Sequence, residues 1–148
     1  MLNSPVCLDA SFVLRLLQSG TPNATAVQLW REWQETGRLL IAPALVYYEI
    51  TNAVYRYAVH GELSPQEASE LLDMALNLDI ELYGDGDLHK QALEIARRFS
   101  LSAAYDAHYL ALAERLGAEF WTADRRLVRA VQDALPWVNL LEETDPEQ

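Results

Sequence analysis

The segment Val6-Cys7-Leu8-Asp9-Ala10-Ser11 places an acidic residue directly after a short apolar run and just before an amphipathic stretch. A similar order returns in Phe120-Trp121-Thr122-Ala123-Asp124, which precedes another helical pattern. Short apolar runs that contain β-branched or aromatic residues are typical of buried strands. Each segment therefore predicts a strand that leads to an acidic residue and then to a helix.

Strand-length runs alternate with helical stretches along the whole chain. Strands are predicted at residues 6–8, 39–42, 80–83, 119–122 and 137–141, and helices at 11–18, 22–35, 43–60, 64–76, 87–99, 104–116 and 124–134. Ser64, Pro65 and Glu67 have the spacing of a capping box, which makes this the clearest helix start in the chain. The alternation predicts an α/β domain in which helices cover both faces of a mainly parallel sheet of about five strands.

The length and charge of the chain exclude several classes of protein. Its 148 residues suit one domain, which we assign to residues 1–141, followed by an acidic tail at 142–148. No apolar run approaches the roughly 18 residues of a membrane span, and the N-terminus lacks the pattern of a secretory signal, so we expect a cytoplasmic protein. The net charge of −11 argues against a broad basic surface for nucleic acid.

Four acidic residues stand where packing does not call for a charge. Asp9 and Asp124 follow two predicted strands, and the carboxyl ends of parallel strands meet at one edge of a sheet. Glu49 lies in an apolar part of the third helix, and Asp106 lies near the start of the sixth. Each has an ordinary explanation: helix capping for Asp9 and Asp124, the helix dipole for Asp106, and solvent or Arg56 for Glu49. Taken together, they predict a shared site.

Carboxylates gathered in one place favour a bound cation. Two negative charges 4 Å apart repel by roughly 4 kcal/mol at an effective dielectric constant near 20. An all-oxygen donor set suits Mg²⁺ or Mn²⁺ rather than Zn²⁺. Water activated by such an ion attacks phosphodiesters, so the acids are candidate metal ligands and catalytic residues.

The chain resembles the PIN-domain ribonucleases, and in order, spacing and length it is most similar to the VapC-type toxins of toxin–antitoxin pairs. The resemblance spans residues 6 to about 141, and four motifs carry it: Asp9-Ala10-Ser11, Tyr48-Glu49-Ile50-Thr51-Asn52, Tyr105-Asp106-Ala107-His108-Tyr109 and Thr122-Ala123-Asp124-Arg125-Arg126. None of the motifs is specific alone, but the four in this order are.

This resemblance implies a three-layer α/β/α domain that cleaves RNA with Mg²⁺ or Mn²⁺, forms a homodimer and is held inactive by a cognate antitoxin. Asp9 and Asp106 match the central metal ligands, and Glu49 and Asp124 match the acids that complete the site. Three further residues match groups that orient the carboxylates or contact the substrate: Ser11, Asn52 and Thr122. Helix capping is the alternative role for Ser11 and Thr122.

Other functions fit the sequence less well. Phosphotransfer proteins of the haloacid-dehalogenase or response-regulator kind also place Asp after a first strand, but both need a late lysine, and the only lysine is Lys90. The former also need an Asp where Ser11 stands. A degenerate PIN-like binding module is disfavoured by the four intact acids. A housekeeping RNA-processing nuclease remains an alternative, which a neighbouring antitoxin gene would exclude.

The third predicted helix is aromatic on more than one face, since it carries Tyr47, Tyr48, Tyr55 and Tyr57. Aromatic residues at a surface are typical of protein interfaces, so this helix is a candidate surface for a second copy or an antitoxin. The acidic charge would attract a basic antitoxin.

Overall fold

The computed structural model describes residues 4–142. These residues form five strands and seven helices. Their order is β1 (Val6–Leu8), α1 (Ala10–Gln18), α2 (Thr25–Glu35), β2 (Leu40–Pro43), α3 (Leu45–Val59), α4 (Pro65–Leu76), β3 (Glu81–Tyr83), α5 (Gly86–Arg98), α6 (Tyr105–Leu116), β4 (Glu119–Thr122), α7 (Arg125–Val131) and β5 (Val138–Leu140).

The strands form one parallel sheet in the order β3-β2-β1-β4-β5. From β1 the chain builds outward through β2 to β3, and it then returns to place β4 on the other side of β1. The switch point of the sheet therefore lies between β1 and β4, where open α/β sheets bind their ligands. The predicted α/β class with a parallel five-stranded sheet is confirmed.

The central strand is covered on both faces. All three residues of β1 are fully buried, which explains why its sequence is apolar without alternation. Helix α6 contacts β1, β2 and β4, while α1 packs on α2, α3 and α4 and also contacts β4. Because α6 crosses the middle of the sheet, six of its residues are buried, including Tyr109. Trp33 of α2 is buried, and its ring packs against Phe12 and Trp121.

Three predicted helix bounds differ from the structure by two or three residues. Helix α2 begins at Thr25 rather than at residue 22, because the main-chain carbonyl of Thr21 closes a turn by accepting from the Ala24 N–H at 3.2 Å. Pro43 ends β2 rather than starting α3, because it pairs with Tyr83 at the end of the strand. The last helix stops at Val131 rather than at residue 134, since the chain turns there.

The predicted acidic tail at 142–148 lies outside the described residues except for Glu142. Among the helices at residues 4–142, none has the length and apolar character needed to cross a membrane.

Candidate active site

Asp9 occupies the first position after β1 and is almost fully buried. Its Oδ1 accepts hydrogen bonds from the Ser11 hydroxyl at 2.6 Å and from the Phe12 N–H at 3.0 Å, so Asp9 caps α1. Its Oδ2 accepts from the Thr122 hydroxyl at 2.5 Å. The carboxylate is therefore held in one orientation by groups from both sides of the switch point.

Ser11 and Thr122 also fix the segment that carries Asp124. The Ala123 N–H donates to the Ser11 hydroxyl at 2.9 Å, and the Asp124 N–H donates to the Thr122 hydroxyl at 3.0 Å. One hydrogen-bonded network thus joins the carboxyl ends of β1 and β4. The two hydroxyl residues act on the acids rather than as caps of their own helices.

Asp124 caps the N-terminus of α7, which is the alternative role that the sequence left open for it. Its Oδ1 accepts from the N–H groups of Arg126 at 3.0 Å and Leu127 at 3.3 Å. Its Oδ2 accepts no hydrogen bond from the described part of the chain. Capping and metal binding are therefore compatible, because they use different oxygens.

Glu49 of α3 is oriented by Tyr109 of α6. The Tyr109 hydroxyl donates to Glu49 Oε1 at 2.5 Å, and its ring stacks on Phe120 of β4. The ion pair with Arg56 that the sequence left open does not form among residues 4–142. Sequence reasoning did not identify Tyr109 as a partner of a candidate site residue. The signal was a tyrosine in an apolar helix, since a buried hydroxyl requires a partner.

Asp106 lies in the first turn of α6 and is half-buried. Within residues 4–142 its carboxylate accepts no hydrogen bond. Its pKa is raised to about 6, mainly by burial and in addition by the charges of Asp124 and Glu49. A carboxylate without donors, beside two other acids, is poised to bind a cation.

The pKa of Asp9 is also raised to about 6. Burial is the largest cause, the hydrogen bonds from Ser11, Thr122 and Phe12 oppose it, and the charge of Asp106 adds to it. Burial raises the pKa of Glu49, while the bond from Tyr109 opposes the change. The charge of Asp106 raises the pKa of Asp9, and the charges of Asp124 and Glu49 raise the pKa of Asp106, so Asp106 interacts electrostatically with each of the other three acids.

The donor set fits a hard divalent cation. Glu49 Oε2, Asp124 Oδ2 and both oxygens of Asp106 receive no hydrogen bond from residues 4–142, and all are anionic oxygens. As the side chains are placed in the described ranges, no group of three or more His, Cys, Asp or Glu residues could hold a metal ion. Mg²⁺ is usually bound by one or two carboxylates and keeps several waters, so this more open arrangement suits it.

Two other residues of the motifs form no hydrogen bond with the four acids among residues 4–142. Asn52 is exposed and lines a cavity of about 720 Å³ together with Tyr48, Tyr55 and Leu82. His108 hydrogen-bonds through Nδ1 to the Ala104 carbonyl at 2.8 Å, and its Nε2 lies 2.9 Å from His89 Nδ1. Asn52 follows Glu49 by one turn of α3, and it borders the 720 Å³ cavity.

Comparisons with known proteins agree with this fold. The PIN domain family matches residues 6–132, so the chain belongs to the PIN-domain family. Ribonuclease VapC3 of Pyrobaculum aerophilum is 32% identical over 122 residues, which cover 81% of this chain and 89% of that protein. The predicted resemblance to VapC-type PIN-domain ribonucleases is confirmed.

Two solved structures share the fold. The crystal structure of PAE2754 from Pyrobaculum aerophilum is 26% identical, with a TM-score of 0.67 over 88% of this chain and 82% of that one. A toxin–antitoxin complex from Klebsiella pneumoniae contains a chain that is 17% identical, with a TM-score of 0.67 over 94% of this chain and 99% of that one. At this identity the second likeness concerns the fold alone.

Proposed function

We propose that the protein is a metal-dependent endoribonuclease, the toxin of a toxin–antitoxin pair, and that Asp9, Glu49, Asp106 and Asp124 form its active site with Mg²⁺ or Mn²⁺. The observation that carries this proposal is the hydrogen-bonded network around Asp9 at the switch point, beside three acids that keep oxygens free. A folding role alone does not require four carboxylates at one edge of the sheet, because each costs free energy when it is buried.

Each residue has a distinct part in the proposed reaction. Asp9 and Asp106 would be the main ligands, and Glu49 and Asp124 would complete the site. When bound, the ion would lower the pKa of a water molecule and neutralise charge on the leaving oxygen. Ser11 and Thr122 hold Asp9, and such groups behind metal ligands commonly set their orientation. Asn52, one turn beyond Glu49, would contact RNA outside the group of acids.

Metal removal tests the proposal directly. We expect excess chelator to abolish the cleavage of single-stranded RNA by the purified protein, because four carboxylates without a cation repel the phosphate and cannot neutralise its charge. Added Mg²⁺ or Mn²⁺ should restore the wild type but not Asp9→Asn. Rates are measured on a labelled RNA in a denaturing gel. Undiminished cleavage in excess chelator would contradict the mechanism.

A cognate antitoxin is the proposed protein partner. The Klebsiella pneumoniae structure is a toxin–antitoxin complex, and the net charge of −11 here would favour a basic segment in the partner. The proposal places both proteins in the cytoplasm. Co-expression with the product of a neighbouring small gene distinguishes a toxin, which would be silenced, from a housekeeping nuclease, which would not.

We also propose a homodimer formed through the tyrosine face, which we define as Tyr48 and Tyr55 of α3 with Leu82 of β3. The two tyrosines are 75% and 65% exposed, and they border the 720 Å³ cavity beside an outer strand of the sheet. Exposed apolar and aromatic surface of this kind is typical of interfaces.

The double variant Tyr48→Glu and Tyr55→Glu should convert the dimer to a monomer, because it would bury four unpaired charges at a twofold interface. Molar mass in solution is measured by size-exclusion chromatography with light scattering. Gln28→Glu, on the exposed face of α2, is the control and should remain dimeric. A double variant with the mass of the wild type would refute this interface.

A further inference from the structure

Two cavities meet at Asp124. The first, which we call the α7 cavity, has a volume of about 270 Å³, and it extends from Asp106 and Asp124 to Phe99, Leu127 and Ala130. The second, the α1 cavity, has a volume of about 230 Å³ and lies between α1 and the end of α3. Asp124 borders both, so a ligand that crosses the acids would have a cavity on each side.

The lining of the α7 cavity suits a nucleobase. The ring of Phe99 and the side chains of Leu101 and Leu127 are apolar, while Ser100 and Ser102 supply hydroxyl groups. Proteins that recognise single-stranded RNA place unstacked bases against aromatic or apolar side chains and read their edges with hydrogen bonds. The α1 cavity offers a similar mixture, with the ring of Tyr57 beside the amide of Gln18.

Each cavity also contains one arginine without an ionic partner. Arg126 borders the α7 cavity and Arg15 borders the α1 cavity, and both are exposed. Neither forms a salt bridge within residues 4–142, where the ion pairs are made by other arginines. Four other arginines of residues 4–142 also form no salt bridge, but only these two border the cavities that meet at Asp124, so an unpaired guanidinium stands on each side of that acid. Its natural ligand is an anion such as a phosphate.

We infer that a single-stranded RNA segment crosses Asp124, with the nucleotides on the two sides of the scissile phosphate seated in the α7 and α1 cavities. The proposed metal site would bind the scissile phosphate, so Arg126 and Arg15 would contact the phosphates on its two sides. Each volume lies below the roughly 300 Å³ at which cavities for drug-sized ligands begin, so each would take one base and not a stacked duplex. This inference rests on the proposed ribonuclease function.

Filling the α7 cavity tests base selection. Ala130 is exposed and borders the cavity, so Ala130→Phe would occupy the space of a base. The full-length variant with Mg²⁺ is incubated with a random single-stranded RNA pool, and the cleaved ends are sequenced. We expect the base preference to change at one position next to the cut and to persist elsewhere. Ala134→Phe, which lies outside the cavity, is the control and should keep the profile of the wild type.

Each arginine substitution is matched with a control: Arg129→Gln, also on α7, for Arg126→Gln, and Arg31→Gln, on α2, for Arg15→Gln. Arg126→Gln and Arg15→Gln should each raise KM about tenfold with little change in kcat, since a contact to a flanking phosphate mainly adds binding. Each should also reduce the salt dependence of binding by about 0.7 in log–log slope, the value for one phosphate of a single strand. The controls Arg129→Gln and Arg31→Gln carry the same charge change at exposed positions away from the cavities.

The outcomes separate this inference from the proposed function. A wild type that cleaves RNA, with Ala130→Phe and both arginine variants identical to it in end profile, KM and salt slope, would overturn the two cavities as RNA sites. The same result with weakened inhibition by the antitoxin would assign the cavities to that protein instead and would equally overturn the inference. If the wild type cleaves no RNA, the proposed function fails. In that case the affinity of Asp106→Asn for labelled RNA is measured by fluorescence anisotropy, with and without the additional Arg126→Gln substitution. Equal affinities of these two proteins for RNA would overturn the inference.

Discussion

Replacing Asp106 with Asn should reduce RNA cleavage by at least about a hundredfold, because removal of a group that only orients a metal ligand already costs 10–100-fold. Asp106 accepts no hydrogen bond from residues 4–142, and its pKa is raised by burial and by two neighbouring acids. The substitution removes one negative charge from a crowded site and breaks no contact that holds the fold. The loss should therefore concern activity and not stability.

The measurement is the sequencing of RNA ends after brief expression of the wild type and the variant, together with cleavage rates of the purified proteins. Asp87→Asn, an exposed acid in the first turn of α5, should cleave like the wild type. Thermal melting of Asp106→Asn establishes that it is folded. A folded Asp106→Asn protein with the cleavage pattern and rate of the wild type would remove Asp106 from the site.

The position of the site could be predicted because it depends on local pattern and on a general property of parallel sheets. Asp9 follows an unbroken apolar strand, and Asp124 follows another. Adjacent parallel strands present their carboxyl ends at the same edge of the sheet. Because β1 and β4 are neighbours, Asp9 and Asp124 lie at one edge. The sequence predicted the parallel sheet but not that these strands are adjacent.

The partner of Glu49 could not be predicted, because it is 60 residues away along the chain. The apolar neighbours of Glu49 indicate that its face of α3 is covered, but they do not say by which element. Tyr109 reaches Glu49 because α6 crosses the centre of the sheet, where its ring packs on Phe120. Sequence pattern identified the acids, whereas the group that orients Glu49 depends on tertiary packing.

Two of the wrong helix starts were predicted at prolines, and tertiary contacts again explain the difference. Proline is favoured in the first turn of a helix, which led to predicted helix starts at residues 22 and 43. The same fixed φ and missing N–H also suit a turn and the end of a strand. Pro22 lies in the turn before α2, and Pro43 ends β2. The ring restricts the backbone of its own residue, but neighbouring contacts decide which element that residue joins.

Asp9→Asn should make the metal-free protein more stable at neutral pH while it abolishes stabilisation by Mg²⁺. The carboxyl of Asp9 has a pKa of about 6 in the folded protein, compared with an ordinary value of 3.8. Because burial disfavours the charged form, the folded state gains from the neutral acid below pH 4 and loses this gain as the pH rises through 6. The difference corresponds to about 3 kcal/mol at 1.36 kcal/mol for each unit of pKa.

Asn avoids this cost because it is neutral at every pH and is also a good N-cap, so it retains a bond from the Phe12 N–H. In chelator at pH 7.5 we therefore expect a higher Tm for Asp9→Asn than for the wild type. The difference should be about 2–4 °C for each kcal/mol by which the free energy of unfolding increases. The difference should shrink as the pH falls toward 4 and disappear at lower pH, where Asp9 is protonated in both the folded and the unfolded chain.

Melting curves of both proteins at pH 4.5, 6 and 7.5, with chelator or with Mg²⁺, provide the measurement. Mg²⁺ should raise the Tm of the wild type, since a ligand that binds only the folded state stabilises it, and it should leave Asp9→Asn unchanged. Asp133→Asn, an exposed acid after α7, is the control and should follow the wild type throughout. A metal-free Asp9→Asn protein that melts below the wild type at pH 7.5 would mean that ionised Asp9 stabilises the folded protein. The free-energy cost of a buried charge would then no longer support a functional site at Asp9.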